Sequence, residues 1–226
     1  MRMRILAAVI VGVVLALPAQ AGGVRIDTPG GTFGVIVTSV YEARWGPVVR
    51  QRYDFTCGSA AVATLLTYHY GRATDEETVF KAMFEAGDQA QIRAHGFSLL
   101  DMKLYLDAQG LHSDGFRLSL ETMVKIGVPG ITLLDVDGYR HFVVIKGIER
   151  GRVLVGDPAR GVKAYPIERF EAMWNGAFLA ARRDFEIARL HFNMGAEWLG
   201  APAAPFGAAL SRRSLASLTI SGPGRL

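Results

Sequence analysis

The chain has 226 residues, 50% of them hydrophobic and 20% charged, with 25 basic residues against 21 acidic ones. This is ordinary globular composition: it fits one domain with short extensions, and a core of that size closes without disulfide staples. The basic residues are scattered, and losing Arg2 and Arg4 with a leader brings the charge nearer to balance, so nucleic acid is not an expected partner.

The N-terminus reads as a secretory signal peptide. Met1-Arg2-Met3-Arg4 is a short basic region, Ile5 to Leu17 is unbroken apolar chain, and Pro18-Ala19-Gln20-Ala21 offers a small-x-small cleavage site. The apolar run falls short of the ~20 residues a membrane span needs, so no stable span is expected once the signal is cut. The expected location is the bacterial periplasm or the exterior. Residues 22–50 look rich in strand, with Gly30-Gly31 and Gly46-Pro47 as turns.

A helical texture starts beyond Cys57. Ser59 to Tyr68 predicts a helix of small residues that ends before Gly71. A second helix is expected over Asp75–Glu85, with Thr74 as cap and Glu77 in the capping-box position. A third is expected over Ser98–Ala108, capped by Ser98 with Asp101 opposite it and stopped by Gly110. Ser119 caps a short helix that reaches Lys125. The period then becomes that of strands: 130–136, 141–148 and 153–157, with turns at Asp137-Gly138 and Arg150-Gly151. Helices followed by a meandering sheet define an α+β layout. Past Asp184 the pattern fades, and the Pro-, Ser- and Gly-containing end reads as a partly flexible tail.

Cys57 is the only cysteine. No internal disulfide is available to it, and an exported protein leaves such a thiol open to oxidation. Count alone favours a buried, inert cysteine. Position favours a nucleophile: Cys57 sits just before a helix, where backbone N–H groups and the dipole favour a thiolate, and Gly58 leaves the sulfur unobstructed. A thiol nucleophile needs a base. Among the five histidines, His141 opens a strand directly after a turn. The base needs an orienting acceptor. Folding the hairpin about Arg150 sets Asp157 opposite Val143, diagonal to His141, and a slip of one residue would move it to the other face. Asp157 reads equally as an Asp-Pro turn former. The backbone N–H of Cys57 and the side-chain amide of Gln51 are candidate donors to an oxyanion. His95 and Asp88 show no metal-ligand spacing, and Phe142, Phe170 and Trp174 read as core. No cofactor is expected.

The run Gln51-Arg52-Tyr53-Asp54-Phe55-Thr56-Cys57-Gly58, followed in order by His141-Phe142-Val143-Val144 and Gly156-Asp157-Pro158-Ala159, resembles the bacteriocin-processing cysteine peptidases, peptidase family C39. The resemblance covers about Gly46 to Arg183. It implies a papain-like fold, N-terminal helices on an antiparallel sheet, and hydrolysis of a peptide bond. By the same resemblance Cys57 is nucleophile, His141 base and then acid, Asp157 orienter and Gln51 oxyanion donor. Better-known members sit on exporters and cut after Gly-Gly; this chain is more similar to stand-alone exported members, among them a component of a functional-amyloid secretion system. The implied partners are a polypeptide substrate, with Gly-Gly as candidate cleavage site, and components of secretion or amyloid assembly. The expected division is a signal peptide at 1–21, a strand-rich extension at 22–45, the peptidase domain at 46–183 and a C-terminal extension at 184–226. A silent peptide-binding protein and a transglutaminase-like acyl transferase are the alternatives that the same residues allow.

Overall fold

The computed structural model describes residues 23–28, 31–36 and 38–201. The expected signal peptide and the tail past Ala201 lie outside the described residues. The chain divides into two units at Ser39. The first holds a hairpin in which β1, Gly23–Thr28, runs antiparallel to β2, Gly31–Ile36, with Gly23 opposite Ile36 and Thr28 opposite Gly31.

The second unit begins with α1, Val40–Trp45, a helix where the sequence suggests strand. Next comes α2, Cys57–His69, buried along nearly its whole length. A helix apolar all round belongs in the middle of a core. Its alanines let neighbours approach closely, and Leu65 and Leu66 fill the space between. The next helix is α3, Glu76–Ala86. Its cap is Asp75, whose carboxylate accepts the Thr78 N–H at 2.9 Å. The expected cap, Thr74, sits one residue too early and donates its hydroxyl to Arg72 O. A short α4, Gln89–His95, follows, capped by Asp88. The reciprocal Ser98–Asp101 capping box opens α5, Leu99–Ala108, as expected. After β3, Ser113–Arg117, Ser119 caps α6, Leu120–Ile126, which ends on the left-handed Gly127.

The rest of the sheet then forms: β4, Gly130–Val136; β5, Tyr139–Glu149; β6, Arg152–Asp157; β7, Gly161–Pro166. After α7, Ile167–Met173, the chain returns as β8, Trp174–Ala181, between β3 and β4. The six strands stand in the order β3-β8-β4-β5-β6-β7, every pair antiparallel. Both predicted tight turns have left-handed residues, Asp137-Gly138 and Arg150-Gly151, the backbone that matches a two-residue hairpin to strand twist.

The strand β5 reads as one apolar run because both its faces are covered. Phe142 and Val144 join the cluster around α2, α3 and α5. Val143 and Ile145 join a second cluster with Leu120, Met123 and Phe170 from α6 and α7. Phe142 and Phe170 are thus core, as expected, and Trp174 packs against the same second cluster. Past Asp184 the chain keeps folding as far as Ala201, through α8, Phe185–Arg189, and α9, Gly195–Trp198. This strap is held by polar contacts that no periodicity reveals: Asn193 N to Lys146 O at 2.9 Å, Asn193 Nδ2 to Ile148 O at 3.2 Å, and Arg189 Nε to Ile126 O at 3.0 Å.

Candidate active site

The first residue of α2 is Cys57, 8% exposed. Thr56 precedes it as N-cap but makes no side-chain cap. Its hydroxyl turns back instead, donating to Tyr53 O at 2.9 Å and accepting from Tyr53 N at 3.2 Å. The first N–H groups of a helix lack partners within it, and without a side-chain cap they stay directed at whatever lies beside the helix start, here the thiol. Gly58 serves packing rather than access. A Cβ there would lie 2.8 Å from Met102 Cε and 3.1 Å from Phe97 Cβ, so glycine lets α2 dock on α5.

His141 near the start of β5 and Asp157 at the end of β6 lie at the same end of this antiparallel pair. A two-residue turn at Arg150-Gly151 with an unbroken ladder would set Asp157 opposite Val144, on the wrong face for His141. The ladder is not unbroken. It runs from Glu149↔Arg152 to Gly147↔Leu154, then skips Lys146, so that Ile145 pairs with Val155 and Val144 with Gly156. The next positions are Val143 and Asp157. The register expected from the sequence is reached through a bulge that the sequence does not announce.

The bulged Lys146 is wholly buried. Its ammonium donates to Pro47 O at 2.9 Å and pairs with Glu197 of the strap at 3.0 Å, 5.3 Å from the centre of the Tyr68 ring. Burial pulls its pKa down against the opposing pull of Glu197. Gly156 leaves room for this stem, since a Cβ there would meet Lys146 Cδ at 2.9 Å.

The His141 Nε2–H donates to Asp157 Oδ1 at 2.7 Å, with both side chains almost fully buried. The other ring nitrogen, Nδ1, is buried without a hydrogen-bond partner of ordinary geometry, and the Cys57 side chain lies within interaction range of the ring. Burial alone would lower the His141 pKa. The Asp157 hydrogen bond and the Cys57 sulfur overcome it and raise the pKa to about 9. Burial pushes the Asp157 carboxyl up, and its hydrogen bonds from His141 and from the Ala159 N–H outweigh this and hold it below its ordinary value. Asp157 Oδ1 also accepts Ala159 N at 2.8 Å and Arg160 N at 3.0 Å. Asp157 is therefore both turn former and histidine partner, and the two readings of the sequence are compatible.

Gln51 comes to the same place. Its backbone N–H donates to Pro158 O at 3.0 Å, so the turn after Asp157 holds the segment that carries it. Its neighbour Arg52 anchors that segment through an N–H shared between the two Glu76 carboxylate oxygens. Gln51 Nε2 donates to Tyr53 O at 3.1 Å. The structure thus gathers Gln51, Cys57, His141 and Asp157 from α2, the loop before it and two strands. One further member escaped the sequence reading. Tyr139 stacks on His141 with ring centres 5.6 Å apart and planes 25° apart. The signal was present: Tyr139 lies two residues before His141 in one strand and so on the same face.

A central helix presenting a thiol to an imidazole at the end of an antiparallel sheet, with a carboxylate behind it, defines a papain-like cysteine peptidase. Residues 46–186 match the Peptidase C39 family, and the chain belongs to it. It is 41% identical over 170 residues to the "Probable functional amyloid protease FapD" of Pseudomonas fluorescens, spanning 74% of each chain. It is 38% identical over 166 residues to the protein of the same name from Pseudomonas aeruginosa, spanning 74% of this chain and 70% of that one. Among solved structures it resembles a double glycine motif protease from an AMS/PCAT transporter in complex with the leader peptide. The TM-score there is 0.50 at 27% identity, over 59% of this chain and 89% of that one.

Proposed function

We propose that this cysteine peptidase is exported by a cleaved signal at Met1–Ala21 and works in the periplasm or outside the cell. It cuts an exported or secreted polypeptide with Cys57, His141 and Asp157, and Gln51 steadies the oxyanion. The observation that carries this reading is the two-sided use of His141: Nε2 is committed to Asp157 and Nδ1 is left to Cys57.

In the reaction the Cys57 sulfur attacks the scissile carbonyl carbon, and the carbonyl π pair moves onto oxygen. The backbone N–H of Cys57 and the Gln51 amide bind that oxygen as its charge develops. The C–N bond then breaks, and the His141 imidazolium gives its proton to the leaving amine. Water, deprotonated by the neutral imidazole, attacks the thioester and releases the acid, returning the proton through His141 to sulfur. Asp157 keeps the tautomer and steadies the imidazolium without taking the proton.

A Gly-Gly cleavage site is the leading substrate, supported by the double glycine motif protease that the fold resembles. A polypeptide of an amyloid secretion or assembly system is the leading partner, supported by the names of the Pseudomonas relatives. The test compares the exported proteins of cells carrying the native chain with those carrying Cys57→Ser and reads new N-termini. A polypeptide whose cleaved form vanishes with Cys57→Ser supports the proposal, and identical N-termini in both would refute it.

A further inference from the structure

Strand β5 departs from its ladder with β6 at Lys146, and the strap meets it there. The bulged Lys146 has no partner across that ladder, so its backbone carbonyl needs a donor from elsewhere. Asn193 of the strap supplies it. Its N–H donates to Lys146 O at 2.9 Å and its Nδ2 to Ile148 O at 3.2 Å, so one residue grips the carbonyls on both sides of Gly147. Asn193 suits the place, because its φ of 60° lies in the left-handed region that asparagine tolerates. Gly147 makes room for it. A Cβ on Gly147 would overlap Asn193 Oδ1 and lie 3.1 Å from Asn193 Cα, and the three atoms nearest to it all belong to Asn193. Further along the strap, Glu197 takes the Lys146 ammonium at 3.0 Å, and the Lys146 stem lies over Gly156, the residue before Asp157. Asn193 and Glu197 both fall beyond the residues 46–186 that match the family.

Resting on the function proposed above, we propose that Asn193 is a positioning residue of the active site: it clamps the bulge at Lys146-Gly147, and the bulge sets Asp157 behind His141. A strand sheds an extra residue by sliding, and a slide of one place turns every later side chain to the other face. Released from the strap, β5 gains ladder bonds by pairing Lys146 with Val155. Asp157 then falls opposite Val144, and its 2.7 Å bond from His141 Nε2 is lost. With the strap in place the same slide costs both Asn193 bonds and pulls Lys146 away from Glu197. Asn193 touches none of the reacting atoms and acts through the register of β6 on β5.

The test reads His141 rather than the strap. An NMR pH titration of the His141 ring reports the Asp157 contact, and the native full-length protein titrates at about 9. Gly147→Ala keeps the strand and displaces Asn193 from beneath. Asn193→Pro removes the backbone donor, the side-chain donor and the left-handed φ together. In each variant His141 titrates near its ordinary value of about 6.5 or below. Gly147→Ala decides the matter if Asn193→Pro does not fold. Arg189→Ala is the control: it loosens the strap at Ile126 O, away from the bulge, and leaves His141 where it is in the native protein. A histidine unmoved in Gly147→Ala and in any folded Asn193→Pro, however far their urea midpoints fall, overturns the assignment and leaves Asn193 a fold-stabilising residue. An equal fall in Arg189→Ala overturns it as well, because general loosening would then account for the shift. A histidine unmoved even in Asp157→Asn sinks the reading of the site itself, and the role of the strap with it.

Discussion

Replacing Asp157 by asparagine isolates its charge from its geometry. Three donors converge on a single oxygen, Oδ1: His141 Nε2 at 2.7 Å, Ala159 N at 2.8 Å and Arg160 N at 3.0 Å. An asparagine can leave its oxygen in that place and turn its amide outward, so the turn and the imidazole keep their positions. What is lost is the negative charge, the first of the groups that raise the His141 pKa to about 9 against burial. Without it the histidine falls toward its ordinary value of about 6.5 or below. At pH 7.5 the imidazolium fraction would drop from about 97% to about 10% or less. The acid that must protonate the leaving amine is then mostly absent, so hydrolysis slows by about tenfold from this cause alone. An NMR pH titration of the His141 ring in the native protein and in Asp157→Asn measures this directly. A variant histidine that still titrates near 9 would refute the role given to Asp157.

Other expectations follow from the same geometry. On the proposed mechanism Gln51→Ala removes the side-chain oxyanion donor but leaves the thiol and imidazole alone, so peptide hydrolysis falls about 100-fold while alkylation of Cys57 by iodoacetamide is unchanged. Glu197→Ala strands the buried Lys146 ammonium and destabilises by about 3–5 kcal/mol in urea unfolding, and replacing the pair together by Met and Leu recovers most of that loss. The raised His141 pKa stabilises the fold fully below its unfolded value, and this stability is lost as pH rises through about 9; the lowered Asp157 pKa contributes above its unfolded value and is lost on acidification below it. Between pH 6 and 10 the native protein therefore loses about 3 kcal/mol that His141→Gln does not, measured by denaturant unfolding at each pH.

The sequence carried the site further than the fold around it. The coming together of Cys57, His141 and Asp157 was legible because each sits at an element end that leaves its own mark: an alanine-rich helix start, a strand following Asp137-Gly138, and a strand stopped by Pro158. The hairpin turns and the Ser98 box were legible because local chemistry decides them. Strands β3, β7 and β8 were not, since their short, mixed sequences become strand only by pairing with neighbours far away in the chain. The strap after Asp184 was hidden for the same reason. Glu197 and Asn193 gain their meaning from Lys146, about fifty residues earlier. The bulge at Lys146 is the instructive case. A charged residue inside an apolar strand carries no signature of a bulge in the local sequence, and it is the residue that shifts Asp157 onto the face of His141.

The most direct test of the central claim is the rate at which iodoacetamide alkylates Cys57, followed by intact mass between pH 5 and 9. Cys57 is the only thiol in the chain, so the modification needs no mapping. A thiol poised by His141 reacts faster than free cysteine at pH 6, and His141→Ala slows it to the free-cysteine rate or below. A native rate no faster than free cysteine, unaffected by His141→Ala, would contradict the account.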